Sequence, residues 1–322
     1  MPDFFNTDFI TFNIFHLIIF AFLFFAILIY FKIAKKYNIV DESGRQSSHN
    51  YITIKGGGIV FWLAGVLFSL LYLPQSLCFL IGITLICGIS FWSDISSLPA
   101  SVRLIAQFVA VGLILFDLDV YYLFPWWAIA IIYIACVGII NAYHFMDGIN
   151  GMTGLYSLVI LGSLQYVNQN VLAFVHPDFI IYALLACVVF LLLGGIGSIG
   201  IAFWIVVLLL KLILETDDII WILFLAVYGV DVVCTIGHRV YLKQNIFKSH
   251  RLHFYQVWVE KAKFPPFWMS VVYATIQLII CIVTIYFWKR IPEIMLSLTL
   301  LGLLVVLYVL KFQYDFEDIN VQ

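Results

Sequence analysis

Between residues 141 and 151 the chain reads Asn141-Ala142-Tyr143-His144-Phe145-Met146-Asp147-Gly148-Ile149-Asn150-Gly151. Asn141, His144 and Asp147 are three apart, so they share one face for as long as a helix persists. Asp147-Gly148 and Asn150-Gly151 then break the helix and turn its polar groups toward water. A plain turn needs no such cluster, and the stretch reads as part of a site for a polar ligand.

Four other short intervals hold residues fit for chemistry. Ser47-Ser48-His49 is followed by Lys55-Gly56-Gly57-Gly58. Three glycines let backbone approach a ligand and the lysine adds positive charge, as a diphosphate requires; a flexible helix start with an interfacial lysine fits equally well. Ser93-Asp94-Ile95-Ser96-Ser97-Leu98 precedes Arg103 and Gln107. Asp94 can bind Mg²⁺ or act as a base, or it can cap the helix that starts near Pro99. Gly194-Gly195-Ile196-Gly197-Ser198 taken alone reads as a close-packed helical hairpin. The last interval runs from His238-Arg239 to Ser249-His250-Arg251-Leu252-His253-Phe254-Tyr255-Gln256. Its histidines and Arg251 suit phosphate oxygens and proton transfer, and the same basic stretch suits anionic lipid. Asp231, about two turns inside the preceding apolar segment, implies either a pairing or a functional role.

The elements that must position these intervals are membrane helices. Hydrophobic residues make up 64% of the 322 and charged ones 11%, which excludes an ordinary soluble domain. About twenty apolar residues cross a bilayer core, and the sequence supplies such stretches repeatedly. The predicted fold is all-α, a polytopic transmembrane bundle of about eleven (10–11) spans at 10–33, 57–73, 76–92, 102–118, 121–143, 153–168, 178–193, 199–214, 219–236, 267–287 and 293–311. It forms one membrane domain over 1–322, with chemistry-bearing loops at about 34–56, 93–102, 144–152, 194–198 and 237–265. Asp3 and Asp8 do not suit a cleaved signal peptide, and the run from Phe9 to Phe31 is long enough to span. The six cysteines lie inside apolar stretches without CxxC spacing, so they read as small buried residues.

Charge placement predicts orientation. Intervals after odd-numbered spans hold Lys35, Lys36, Arg45, Lys55, Arg103, Arg239, Lys243, Lys248, Arg251, Lys261 and Lys263. The other side collects Asp3, Asp8, Asp117, Asp119, Asp178, Glu215, Asp217, Asp218 and Glu293. The five loops therefore face the cytoplasm and the N-terminus lies outside, with Tyr121, Tyr122, Trp126 and Trp127 as an outer aromatic belt. No nucleic-acid partner is expected; the bilayer is, and a homodimer is open.

In this order the five loops resemble those of the polyprenyl-phosphate N-acetylhexosamine-1-phosphate transferases, the family of the peptidoglycan phospho-MurNAc-pentapeptide transferase and of the enzymes that start O-antigen and related glycans. The resemblance runs from about Asp41 to Gln256. Asn141 to Gly151 is similar to Asn-x-x-Asn-Phe-x-Asp-Gly-x-Asn/Asp-Gly, and Ser47 to Gly58 to Arg-Ser-Ser-His…Pro-Thr-Pro-Arg-Gly-Gly-Gly. His250 to Gln256 is similar to the His-Arg-x-His-x-Tyr-Gln ending of the O-antigen-initiating branch. The resemblance implies that undecaprenyl phosphate attacks the β-phosphorus of a UDP-N-acetylhexosamine and releases UMP, at the cytoplasmic face of a bacterial inner membrane, with Mg²⁺ (or Mn²⁺). It implies Asp94, Asp147, His250 and His253 as catalytic, Lys55, Asn141, His144, Asn150, Arg251 and Ser198 as substrate-binding, and Asp94 and Asp147 as metal ligands.

Three positions depart from that pattern. Ser93 replaces the first residue of an Asp-Asp pair, Gly195 replaces the metal aspartate of Gly-Asp-x-Gly-Ser, and His144 replaces an asparagine. A second reading is therefore a homologue that binds UDP-sugar or lipid phosphate without turnover; Ser93→Asp with Gly195→Asp would then restore transfer. A transporter or flippase would instead put polar groups near the midplane and show inverted repeats; Asp231 apart, the polar groups gather at one face.

Overall fold

The computed structural model describes residues 13–41, 53–72, 77–96, 98–195, 197–244 and 251–312. In chain order it has α1 (Ile14–Lys36), β1 (Val40–Asp41), β2 (Thr53–Ile54), α2 (Ile59–Leu71), α3 (Leu77–Ile95), α4 (Ala100–Asp117) and the one-turn α5 (Val120–Leu123). Then come α6 (Trp126–Met146), α7 (Met152–Asn170), α8 (Pro177–Leu193), α9 (Ile199–Thr216), a 3₁₀ segment (Ile219–Leu225) running into α10 (Ala226–Tyr241), the short α11 (Phe254–Glu260), α12 (Pro266–Phe287) and α13 (Glu293–Val309). Each of the eleven expected spans is met by a helix. Seven helical stretches are long and apolar enough to cross a membrane, and α2, α8 and α13 are shorter apolar helices. The chain is a polytopic helical membrane protein.

Local chemistry sets the helix ends. Asn13 caps α1: its side chain accepts from the His16 N–H at 3.1 Å while its own N–H donates to His16 Nδ1. Pro99, Pro125, Pro265 and Pro292 stand just before α4, α6, α12 and α13, where a fixed φ and missing N–H cost nothing. Burial runs opposite to that of a soluble protein. The outer surface shows large apolar residues such as Ile14, Ile134, Val233 and Leu298, while α7 buries Ser157, Ser163, Gln165 and Asn168. α9 lies deepest, with an almost unbroken buried run from Ile199 to Leu209.

The 3₁₀ segment needs support, because a break between helical types strands backbone groups that a bilayer cannot hydrate. Gln277 of α12 supplies it, accepting from the Val227 N–H at 3.1 Å and donating to the Leu223 carbonyl at 2.9 Å. Tyr156 accepts from the Tyr228 N–H and donates to Gln277.

Contacts sort the helix ends into two faces. At one, Tyr30 near the end of α1 donates to the Lys55 carbonyl at 2.6 Å, the β1–β2 pair holds the strand before Lys55, and the turns after α6 and α8 meet. At the other, His16 Nε2 donates to Asp178 at 3.0 Å, Tyr72 donates to the same carboxylate, and Trp288 donates to Asp218. The expected odd and even loops thus gather on separate faces. All six cysteines are free of disulfides.

Candidate functional site

Asp94 occupies the last turn of α3 rather than capping α4, whose start has Pro99 and no side-chain cap. It accepts a hydrogen bond from the Gly56 N–H, and the charges of Lys55, Arg103 and Asp147 all act on it. The first loop, the α3–α4 junction and the end of α6 therefore converge.

The face shared by Asn141 and His144 is turned to α4. Asn141 and Gln107 form an amide pair, with Asn141 Nδ2 donating to Gln107 Oε1 at 2.7 Å. One turn further, Arg103 lies 3.4 Å from His144 Nε2. Arginine has only donors, so this nitrogen is the acceptor and the imidazole is neutral with its proton on Nδ1. Asp147 leaves the helix as its C-cap. Its Oδ1 accepts from Thr153 at 2.7 Å and its Oδ2 from the Gly197 N–H at 3.3 Å, so the third loop is fastened to α7 and to the fourth loop.

The first and fourth loops pack backbone on backbone. A Cβ placed on Gly195 would stand 2.9 Å from the Gly57 Cα, and one on Gly58 would collide with the Gly197 carbonyl. Gly195 also has φ +120°, a region that residues with side chains rarely hold. An aspartate at 195 is therefore excluded by space and by backbone, which undercuts the simple restoration by Ser93→Asp with Gly195→Asp. Beside these loops a cavity of about 210 Å³ opens between α2, α3 and the start of α9, lined by Trp62, Thr84, Cys87, Phe91, Asp94 and Gly200 among others. Its walls are mostly apolar, and Thr84 and Gly88 on its rim are exposed on the bundle's outer surface. Ser198, just before α9, is fully buried, and its hydroxyl has no hydrogen-bond partner among the described residues.

The remaining expected residues lie at varied distances from this centre. Asn150 is exposed on the turn before α7, and its carbonyl accepts from Ser270. Arg251 pairs with Glu260 at 2.9 Å. His253 is buried, with Nδ1 on Asp231 Oδ1 at 3.2 Å; Asp231 also accepts from Tyr273, Thr235 and the Phe254 N–H. Of the two options for Asp231, pairing is the one realised. His250 and Ser47-Ser48-His49 lie outside the described residues. Tyr255 ties this loop to the third one by donating to the Phe145 carbonyl at 3.1 Å. Burial, and then the charges of Asp231 and Asp147, hold its phenol above the ordinary range, so it stays a donor. Arg103, Gln107, Thr153 and Tyr255 join these residues through the contacts above; the first two and Tyr255 stand in the chemistry-bearing intervals of the sequence without a role of their own there, and Thr153 stands outside them. The signal for the first two was available: 103 and 107 on α4 match 144 and 141 on α6, one turn per pair.

The Mg²⁺ that the resemblance implies finds a poor donor set. No group of three or more His, Cys, Asp or Glu suited to a metal exists among the described residues. Asp147 already accepts through both oxygens, and Asp94 lies under the influence of two cationic side chains. These residues do not compose the implied cage.

No curated protein matches the chain. Residues 76–213, less than half of the chain, match the family described as Glycosyl transferase family 4. That stretch carries Asp94, Arg103, Asn141, His144, Asp147 and Ser198.

Proposed function

We propose that the chain transfers N-acetylhexosamine-1-phosphate from a UDP-sugar to undecaprenyl phosphate, the first step of a lipid-linked surface glycan such as O-antigen or capsule, on the cytoplasmic side of a bacterial inner membrane. The observation that carries this reading is the convergence of Lys55, Asp94, Arg103 and Asp147 beside an apolar crevice that opens at the bundle surface. A phosphate oxygen of the lipid attacks the β-phosphorus, the bond from that phosphorus to the bridging oxygen breaks, and UMP leaves with the bridging oxygen. Asp94 accepts any proton on the attacking phosphate and orients it. The crevice gives the isoprenoid chain a place beside Asp94, while Lys55 and the glycine turn face the diphosphate.

Binding without turnover is the second reading, favoured by Ser93 and Gly195 at two carboxylate positions. The test is UMP release by purified protein supplied with several UDP-sugars and polyprenyl phosphate. Release with at least one UDP-N-acetylhexosamine supports transfer. UDP binding with no release from any sugar supports the second reading.

A further inference from the structure

The departures from the resembled pattern act together once the site's charge is considered. Ser93 and Gly195 remove two negative charges from positions where the pattern has aspartates. A site two charges more positive is in the electrostatic condition that a bound dication would otherwise create. The third departure adds to this, because His144 receives Arg103 at 3.4 Å and fixes the guanidinium beside Asp94. Gly57 fills the space that a side chain at 195 would need, so no small rotation recovers the lost ligand. The eighteen-residue α9 starts against the first loop, where a Cβ on Gly200 would stand 3.7 Å from the Gly58 carbonyl; just before it, the buried Ser198 hydroxyl has no hydrogen-bond partner among the described residues, and a helix N-terminus carries roughly half a positive charge.

Building on the functional reading above, we infer that Lys55, Arg103 and the α9 N-terminus hold the nucleotide diphosphate without a divalent cation, with His144 as the positioning residue for Arg103. Charge-assisted hydrogen bonds from guanidinium and ammonium to phosphate oxygens are the strong ones. A dication placed here would be repelled by Lys55 and Arg103, against the attraction of Asp94 and Asp147. The site thus takes a diphosphate directly, where the pattern it resembles takes a metal–diphosphate complex.

The test is UDP binding to the full-length protein in detergent, by calorimetry, with Mg²⁺ and with EDTA. EDTA is expected to weaken binding by less than about threefold, and Arg103→Met to weaken it by about tenfold or more. Arg103→Lys retains part of the affinity. His144→Ala loses affinity, and His144→Asn, which restores an acceptor for the guanidinium, regains it; a merely structural role for His144 predicts no such rescue. Thermal unfolding of each variant separates lost binding from lost fold. Binding that collapses in EDTA overturns this inference and leaves the functional reading standing. An absence of UDP binding under both conditions overturns the functional reading, and this inference with it.

Discussion

Asp94 receives a backbone N–H and the fields of two cations, so replacing its carboxylate with an amide keeps its shape and removes its charge. Asp94→Asn is expected to lower UMP release by about 10²–10⁴-fold, the usual contribution of a positioned general base, with the unfolding midpoint little changed. Single-turnover UMP release checks this; undiminished release would remove Asp94 from the chemistry. At this scale the sequence disclosed a great deal, because a carboxylate at the end of an apolar run has few reasons to be there. Asp94 and Asp147 stand out as candidates for that reason, and the structure brings each within the other's field. His253 was not legible: its type suggested phosphate, but its direction depends on how the fifth loop docks, and that loop carries the imidazole inward onto Asp231. Thr153 was hidden too, since a threonine at a helix start is too common a residue to signal a bond to Asp147.

Among elements, the fifth loop depends on one buried carboxylate. Asp231 of α10 accepts from His253 and Phe254 on the loop and from Tyr273 of α12, while Thr235 links it to Tyr308 of α13. Lys311 adds a bond to the Leu252 carbonyl at 2.8 Å. Asp231→Ala strands these donors in a dry interior and is expected to cost about 3–5 kcal/mol. Thr235→Val removes a single hydroxyl and should cost about 1 kcal/mol. Thermal unfolding in detergent, with protease cleavage near residues 242–244 as a second readout, checks the pair; equal effects would show that Asp231 is no hub. Hydropathy located a helix at each of the eleven expected positions, seven of the helical stretches being long and apolar enough to cross a membrane, because apolar length dominates that signal. It could not disclose the change from 3₁₀ to α at Ala226, which is decided by Gln277 and Tyr156 on other helices.

For the whole molecule, charge placement predicts which face meets the cytoplasm. The structure gathers the described parts of the five loops on one face, and the His16–Asp178 and Trp288–Asp218 pairs on the other. An epitope inserted beside Lys243 is expected to bind antibody only after permeabilisation of spheroplasts, and one placed before Asn13 to bind without it; the reverse pattern would invert the orientation. The interlocked glycines of the first and fourth loops constrain how such a chain can change over generations. A carboxylate gained at 195 meets the Gly57 backbone before it meets any ligand, so that mutation is harmful when it comes alone. It becomes tolerable only after the neighbouring loop has moved. The route back to an aspartate at 195 therefore starts with a shift of the loop around Gly57, and the order of the steps matters as much as their identity.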